Sequence, residues 1–388
     1  MKQLPRRTFI KAGCAGLLAS AKSFTLSSAR AATPDEAATG DSHSSPLSTK
    51  FTHLKSEFDR LLQSGSTTKA LHLAMGLRSA VFSEDSEESA RMYLFRNFFA
   101  PLDRYYKIQY QAYDFEAVDY DMSEFHATRS FLRGPLPGCQ DLMAGNYVSV
   151  LGAAQLFGRF HKTTFPFLMA EGGANTPVLN FSLGGAGPDY FSDDLFISSV
   201  NHGRGCVLQV LSGRSAGTRL YPGMRMTRRA GSASDMEDRL DIYARLWSEN
   251  PGLAREEIRS CQASYMERMT NLIASIRVPI VLVWISTRHP EDWSLEGIES
   301  GRVEEFGAFP HLVDQEMWNG LKSQVAESAV ILDESTRKTF ANEFTGKPCP
   351  IFKWTADGTV MWSDSYYPSQ DLHGKVASVL TEWLKGLS

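Results

Sequence analysis

Residues 147–158 read YVSVLGAAQLFG, a short apolar run that ends in glycine and two alanines. Four more apolar runs follow, at 177–181, 206–211, 279–285 and 328–332. The stretches between them, such as 235–247 and 255–276, carry apolar residues at helical spacing. Apolar strands that alternate with helices are typical of a parallel sheet covered on both faces. The pattern therefore predicts an α/β fold with a flavodoxin-like, three-layer parallel sheet.

The chain ahead of this sheet divides into three parts. Residues 1–31 form a predicted signal peptide, and residues 32–50 are rich in Ala, Ser, Thr, Gly and Asp without periodicity. Such a composition predicts a disordered spacer. Between 51 and 108 the apolar residues fall mainly at helical spacing, which predicts a small helical extension of two or three helices. The α/β domain is then expected to cover 109–388.

The signal peptide has a specific signature. Residues 5–11 read PRRTFIK, and the adjacent Arg6 and Arg7 are typical of a twin-arginine signal. A weakly apolar run follows, and Ala29 and Ala31 fit an A-x-A cleavage site. We expect the twin-arginine export machinery to be a partner and the mature protein to be periplasmic or secreted, with no stable membrane anchor after cleavage. A basic amphipathic tail or a membrane anchor is the alternative interpretation.

Composition excludes several classes of partner and cofactor. The formal net charge is −4, so there is no basic footprint and nucleic acid is not expected as a partner. Four cysteines follow the signal peptide, none in a C-x-x-C pair and none beside a histidine cluster, which argues against a metal site. The glycines at 184–187 do not form a G-x-G-x-x-G fingerprint. We therefore expect no cofactor.

Small residues follow each of the first three predicted strands. Gly152 and Gln155 come after the first strand, Gly185 after the second, and Gly213 and Arg214 after the third. Ligands of open α/β sheets bind beyond the carboxyl ends of the strands. Exposed backbone N–H groups at these points predict an anion or oxyanion site.

Two further residues stand at the start of the last predicted helix. Asp371 and His373 precede its apolar positions, and an imidazole with an acid beside it is typical of a general base. His311, in contrast, lies ahead of another helix and is expected to be structural or exposed.

This ordered set of segments resembles the SGNH (GDSL-like) hydrolase superfamily, in which a Ser follows strand one, a Gly strand two, an Asn strand three, and an Asp and a His precede the last helix. More closely, it resembles an uncharacterised bacterial family of domains of unknown function with this fold. That likeness rests on Arg-Gly-Pro at 133–135, Gly-Ala-Ala-Gln at 152–155, Gly-Gly-Ala-Gly-Pro at 184–188 and Ser-Gly-Arg-Ser at 212–215, and it extends over residues 110–385. The resemblance implies that His373 is the base and Asp371 its partner, with Gly152, Gly185 and Ser215 around the oxyanion.

One departure from the superfamily pattern leaves two functions open. Ala154 stands where the nucleophile is expected, and an alanine cannot form an acyl-enzyme. Either His373 activates a water while Gln155 and Arg214 orient the substrate, or a displaced serine attacks, the candidates being Ser182, Ser212 and Ser215. The chain is then an esterase- or deacetylase-type hydrolase of acylated glycans or small esters.

The alternative is a non-catalytic protein that binds a glycan or a carboxylate in the same crevice. Gln155 and Arg214 would anchor that ligand. Arg214 fits equally well as a structural residue that ties its loop through an ion pair.

Overall fold

The structure is a computed structural model that describes residues 46–81, 93–102, 117–118, 120, 122–125, 130–134, 136–171, 176–223, 226–232, 237–335, 338–343, 345–349, 351 and 366–387. The predicted signal peptide, with Arg6 and Arg7, and most of the predicted spacer lie outside the described residues.

Eleven helices are described: α1 (Pro46–Gln63), α2 (Thr67–Val81), α3 (Cys139–Ala144), α4 (Ala154–Phe157), α5 (Phe165–Glu171), α6 (Pro188–Phe191), α7 (Asp194–His202), α8 (Arg239–Glu249), α9 (Pro251–Ser275), α10 (Gln315–Lys322) and α11 (Gln370–Lys385). A π-helical turn at Phe95–Phe99 leads into a 3₁₀ turn at Ala100–Leu102. Other 3₁₀ turns occupy Gly213–Ser215, Pro290–Asp292, Leu295–Gly297 and Val303–Phe306.

The described strands are β1 (Met122–Phe125), β2 (Ser130–Arg133), β3 (Val148–Leu151), β4 (Val178–Asn180), β5 (Gly205–Gln209), β6 (Met226–Thr227), β7 (Glu237–Asp238), β8 (Ile280–Ser286), β9 (Glu327–Leu332), β10 (Phe340–Ala341) and β11 (Pro348–Cys349). Seven of them form the central sheet in the order β1-β2-β4-β3-β5-β8-β9. The five strands from β4 to β9 in that order are parallel to one another.

The parallel strands coincide with the five apolar runs predicted from the sequence. Their side chains alternate between two apolar clusters, one on each face of the sheet. Leu282 and Trp284 of β8 pack on one face with Tyr265 of α9, whereas Val281 and Val283 pack on the other face with α11. Each large apolar side chain that is fully buried in this way stabilises the fold by roughly 1.5–3 kcal/mol. The chain is therefore a mixed α/β structure with a mostly parallel central sheet.

The antiparallel edge of the sheet was not predicted. Strands β1 and β2 pair with each other, and Arg133 at the end of β2 pairs with Asn180 of β4. The Arg133 guanidinium is buried and donates to the backbone oxygens of Tyr120, His161 and Lys162. Arg133, from the Arg-Gly-Pro motif, therefore ties this hairpin to the segment that follows α4.

The N-terminal helices pack against the segment after β3. Phe58 of α1, Leu71 of α2 and Phe98 belong to a third apolar cluster, which also contains Ala154 and Phe157 of α4. Helix α1 begins at Pro46, inside the residues predicted as spacer. Within the described residues, no helix combines the length and the apolarity that a bilayer crossing requires.

Candidate functional site

A small cleft lies at the carboxyl ends of the parallel strands. Its volume is about 110 Å³, and its lining includes Gln155, Ile285, Ser286, Phe309, Tyr366 and Leu372. Ile285 and Ser286 end β8, Gln155 lies in α4 after β3, and Leu372 lies at the start of α11, whereas Phe309 and Tyr366 come from the segments ahead of α10 and α11. The cleft therefore occupies the edge of the sheet at which open α/β folds bind their ligands.

A serine and a histidine meet beside this cleft. Ser212 follows β5 and lies 3.2 Å, Oγ to Nδ1, from His311 in the loop after the 3₁₀ turn Val303–Phe306. The side chains are buried, with Ser212 7% and His311 8% exposed. Ser212 also occupies the N-cap position of the turn Gly213–Ser215, but its Oγ accepts no capping hydrogen bond there. The hydroxyl thus lies beside the imidazole, at a separation that suits a nucleophile–base pair.

The imidazole of His311 connects the pair to the cleft. Its ring stacks on Tyr366, with centroids 5.9 Å apart and an interplanar angle of 25°, and it meets the Phe309 ring edge-on at 6.1 Å. Both aromatic residues line the cleft. The pair therefore lies directly behind two walls of the cleft.

Helix α9 holds both loops of the pair. The Tyr265 hydroxyl donates to the Leu211 oxygen at 2.7 Å, and the Gln262 amide donates to the Leu312 oxygen at 3.1 Å. The two loops are also joined directly, because the Gly213 N–H donates to the His311 oxygen at 2.8 Å. Supports of this kind fix the separation of Ser212 and His311.

Arg288 fixes the histidine loop from the other side. Its guanidinium, which is buried, donates to the backbone oxygens of Pro310 and Val313 at 2.9 and 2.7 Å. Burial lowers the pKa of Arg288 to about 10, so this side chain remains charged at neutral pH. It acts as a brace for the loop.

His373, the predicted base, lies away from the cleft. Its ring is buried against His161, at 5.3 Å and edge-on, and against Phe165. The Nε2 atom has no hydrogen-bond partner among the described residues. Burial lowers the pKa of His373 well below its usual value, and the nearby His161 and Arg133 act in the same direction.

Asp371 is not brought to His373. The two residues are two positions apart in the first turn of α11, and side chains at that spacing do not face each other on a helix. Asp371 is exposed, whereas His373 is buried. The structure thus separates the acid and the base that the resemblance joins.

Ala154, at the expected nucleophile position, is the first residue of α4. Its side chain is buried in the apolar cluster that includes Phe157 and the N-terminal helices. The Ala154 side chain therefore packs against apolar side chains and is not among the residues that line the cleft.

The predicted oxyanion glycines serve close packing or a turn. An ideal Cβ on Gly152 would lie 2.8 Å from Oε1 of Gln209, and one on Gly213 would lie 2.9 Å from the His311 oxygen. Gly185 has φ +77°, is exposed and has open space around it. The structure brings Gly152 and Gly213 toward the site and leaves Gly185 in an outer turn.

The remaining polar candidates of these loops have internal partners or lie apart from the pair. Arg214 donates to Asp238 at 3.2 Å, which is the loop-tying ion pair that the sequence left open. Ser215 Oγ donates to the Ser212 oxygen at 2.6 Å. Ser182 is buried with an Oγ that has no hydrogen-bond partner among the described residues. Of the three serines considered, the structure places Ser212 beside an imidazole.

Gln155 is the sequence candidate that the structure places in the cleft. Its amide oxygen lies 3.4 Å from Nε2 of Gln209, and its Nε2 lies 3.5 Å from the Tyr366 oxygen. Gln209, the last residue of β5, accepts from the Ala153 N–H at 2.8 Å. Sequence reasoning did not single out Gln209.

A buried carboxylate anchors the end of the cleft formed by α11. Asp333 follows β9, lies 3.0 Å from Lys338 Nζ, and accepts from the backbone and hydroxyl of Ser369. Burial raises the pKa of Asp333, but the bonds from Lys338 and Ser369 outweigh this effect, so the pKa lies below its usual value. Asp333 is therefore ionised and already bound within the protein. Within the described ranges, no cluster of three His, Cys, Asp or Glu side chains is arranged to hold a metal ion.

The comparisons with known proteins match one part of the chain to a family of unknown function. Residues 108–224 match the family described as "Domain of unknown function (DUF6473)", a span that includes Ser212 and ends before His311. The resemblance to a domain-of-unknown-function family is confirmed for this span. No curated protein matches the chain.

Two solved structures are similar to the chain at a low level. The protein YXIM from Bacillus subtilis is 12% identical, with 62% of this chain and 56% of that chain covered and a TM-score of 0.32. The lipase Lip_vut3 from a goat rumen metagenome is 11% identical, with 62% and 97% covered and a TM-score of 0.30. The chain thus spans little more than half the length of the first. At these TM-scores the likeness carries no argument about activity.

Proposed function

We propose that this protein is an exported esterase-type hydrolase that removes short acyl groups from glycans or small esters, with Ser212 as nucleophile and His311 as its base. The observation that carries the proposal is the 3.2 Å contact between Ser212 Oγ and His311 Nδ1. A serine hydroxyl becomes a useful nucleophile when an imidazole within this distance takes its proton.

The reaction follows from that contact. For Nδ1 to accept the proton, the neutral imidazole carries its own proton on Nε2. Ser212 Oγ attacks the acyl carbon, His311 takes the hydroxyl proton and then delivers it to the departing alkoxide. Water next attacks the acyl-serine while His311 takes one of its protons. When the bond from the acyl carbon to Ser212 Oγ breaks, His311 returns this proton to Oγ, the carboxylic acid is released and the free hydroxyl is restored.

The sheet supports an SGNH-like assignment. Numbered along the chain, the five parallel strands have the order 2-1-3-4-5, which is the flavodoxin-like doubly wound order. In this proposal the nucleophile is displaced from the loop after the first parallel strand to the loop after the third. Function depends on the site that a fold carries, and a fold alone does not fix it.

Ester hydrolysis tests the proposal. The protein is incubated with p-nitrophenyl acetate beside Ser212→Ala, His311→Gln and His373→Gln. The control is His202→Ala, at a half-buried residue that ends α7 and does not line the cleft. General-base and nucleophile losses lower kcat by about 10²–10⁴-fold, so Ser212→Ala and His311→Gln should fall by at least 10²-fold while His202→Ala matches the unaltered protein. Unchanged turnover in Ser212→Ala would overturn the proposal. A loss of turnover in His373→Gln alone would instead indicate that His373 is the base, as the sequence predicts.

A non-catalytic binder of glycans or carboxylates is the second candidate. The burial of Ser212 and His311 favours it, because an acyl carbon must reach Ser212 Oγ and neither side chain is among the residues that line the cleft. A serine-reactive fluorophosphonate separates the two candidates. Labelling of the unaltered protein that is absent in Ser212→Ala supports the hydrolase. Saturable binding of an acetylated oligosaccharide, without labelling or turnover, supports the binder.

Export through the twin-arginine machinery is part of the proposal. The support is Arg6-Arg7 followed by a weakly apolar run and Ala29-x-Ala31. In a bacterial host that has this machinery, Arg6→Lys/Arg7→Lys should hold the precursor in the cytoplasm, whereas the unaltered chain should appear processed outside it. Equal processing of both chains would contradict twin-arginine export.

A further inference from the structure

The orientation of Gln209 is fixed by a group that can only donate. The Ala153 N–H lies 2.8 Å from Gln209 Oε1, so the oxygen of this carboxamide must face Ala153 and its nitrogen must face away. Gln209 is fully buried, and a buried amide nitrogen requires an acceptor. Among the described residues, Oε1 of Gln155 is such an acceptor, at 3.4 Å.

The orientation of the Gln209 amide also fixes that of Gln155. Because its Oε1 accepts from Gln209, the Gln155 nitrogen must point the other way, toward the cleft that Gln155 lines. There it donates to the Tyr366 oxygen across 3.5 Å, which is at the long limit for a hydrogen bond. Gly152 permits the arrangement, since a Cβ at that residue would lie 2.8 Å from Gln209 Oε1.

Two neighbouring polar groups of the cleft, Asp333 and Ser286, are already engaged. The Asp333 carboxylate is bound by Lys338 and Ser369. The Ser286 hydroxyl donates to the Phe309 oxygen and accepts from the Arg288 N–H. Gln155 Nε2 therefore presents an N–H to a cleft with room for only a few non-hydrogen atoms, which suits a hydrogen-bond acceptor on a small group.

We propose that Gln155 Nε2 binds the carbonyl oxygen of a short acyl group, and that Gln209 is the positioning residue that fixes this amide in the donating orientation. The inference rests on the proposed function, because the carbonyl is that of the ester attacked by Ser212. Tyr366 joins the two parts of the site: its backbone oxygen meets Gln155, and its ring stacks on His311. As Ser212 attacks, negative charge develops on the carbonyl oxygen and strengthens the hydrogen bond from Gln155.

Binding without turnover tests the positioning role. In Ser212→Ala protein labelled with ¹⁵N at glutamine side chains, acetamide should shift the Gln155 NH₂ signals, which Gln155→Met identifies by their loss. With Gln209→Met added, which keeps the size but can neither accept nor donate, that shift should disappear. The exposed Gln324→Met serves as the matched control and should leave the shift unchanged. An acetamide titration that leaves the Gln155 signals unmoved, or moves them equally with and without Gln209→Met in folded protein, overturns the inference.

Kinetics provide the second readout. With p-nitrophenyl acetate, Gln155→Met should lower kcat by about 10²-fold or more while KM changes little, as for the removal of one oxyanion donor. Gln209→Glu keeps the acceptor for Ala153 but removes the donor to Gln155, so it should lower kcat in the same way. Full activity in Gln155→Met would refute the donor role and leave Ser212 and His311 untouched. Acetamide shifts without any turnover would instead refute the hydrolase and retain the acceptor-binding amide.

Discussion

The buried ion pair of Asp333 and Lys338 allows a sharp test of how the α11 wall of the cleft is held. The side chains are 5% and 7% exposed, and the Asp333 oxygens also accept from Ser335 and from the backbone and hydroxyl of Ser369. Asp333→Asn replaces one of those oxygens by a donor and leaves the Lys338 ammonium buried without its counter-charge. Breaking one side of a buried pair costs about 3–5 kcal/mol, and we expect a loss in that range.

Urea unfolding followed by tryptophan fluorescence measures this loss. Lys338→Met should also destabilise the protein. The double variant Asp333→Asn/Lys338→Met should lose less than the sum of the single variants, because neither charge is then left unpaired. Glu382→Gln breaks an exposed pair with Lys385, where the side chains are 70% and 66% exposed, and serves as the control with a cost below about 1 kcal/mol. A cost for Asp333→Asn as small as that of the control, or strict additivity in the double variant, would refute the reasoning.

Three further predictions concern the buried Ala154, the two buried histidines and two glycines with positive φ. Ala154→Ser should gain no ester hydrolysis and should lower the free energy of unfolding by about 1–3 kcal/mol, because the new hydroxyl is buried among apolar side chains; a His373-dependent gain in turnover would contradict this. The melting temperature should be steady above pH 6.5 and should fall as the pH drops below it. Burial lowers the pKa of His161 and His373 in the folded state, so on acidification the unfolded chain binds protons at a higher pH than the folded protein does. His161→Phe/His373→Leu should flatten that fall, and an unchanged pH profile would count against it. In chemical unfolding, Gly158→Ala should destabilise the protein more than Gly185→Ala. Both residues have positive φ, but a Cβ on Gly158 also overlaps the Thr164 methyl. Equal losses of unfolding free energy would show that backbone strain alone matters.

The strands of the sheet were predictable because their residues are apolar on both faces. Val281 and Leu282 are adjacent in β8, yet they are buried in different clusters, so β8 reads as a continuous apolar run. The β1–β2 edge lacked that signal, since Ser123 in β1 and Ser130 in β2 interrupt any apolar run. The hairpin is instead joined to the sheet by the Arg133–Asn180 pairing, a contact between residues 47 positions apart that no local pattern shows.

The candidate site was predictable by region, but its pairings were not. The sequence located the carboxyl edge of the sheet and named Gln155 and Ser212. It did not name His311 as the partner of Ser212, because the two residues are 99 positions apart and Phe-Pro-His-Leu at 309–312 carries no motif. Arg214 shows the same limit: its partner Asp238 lies 24 positions away, so ion pairing and ligand binding were equally compatible with the sequence.

The different environments of the two histidines follow from how each backbone segment meets the sheet. His373 lies on the side of α11 that packs inward, in the first turn of a helix whose buried positions include Leu372, Val376 and Leu380, so its ring enters the packing layer beside Phe165. His311 lies in a loop whose carbonyl groups are held by Arg288 and Gln262, which leaves its ring to stack between aromatic walls of the cleft. A helix that covers a sheet directs its apolar side into the interior, whereas a braced loop at the carboxyl edge can direct a polar ring toward a ligand. Under the proposed function the loop therefore carries the base, His311, whereas the acid sensitivity comes from His373 on the helix and from His161 after α4.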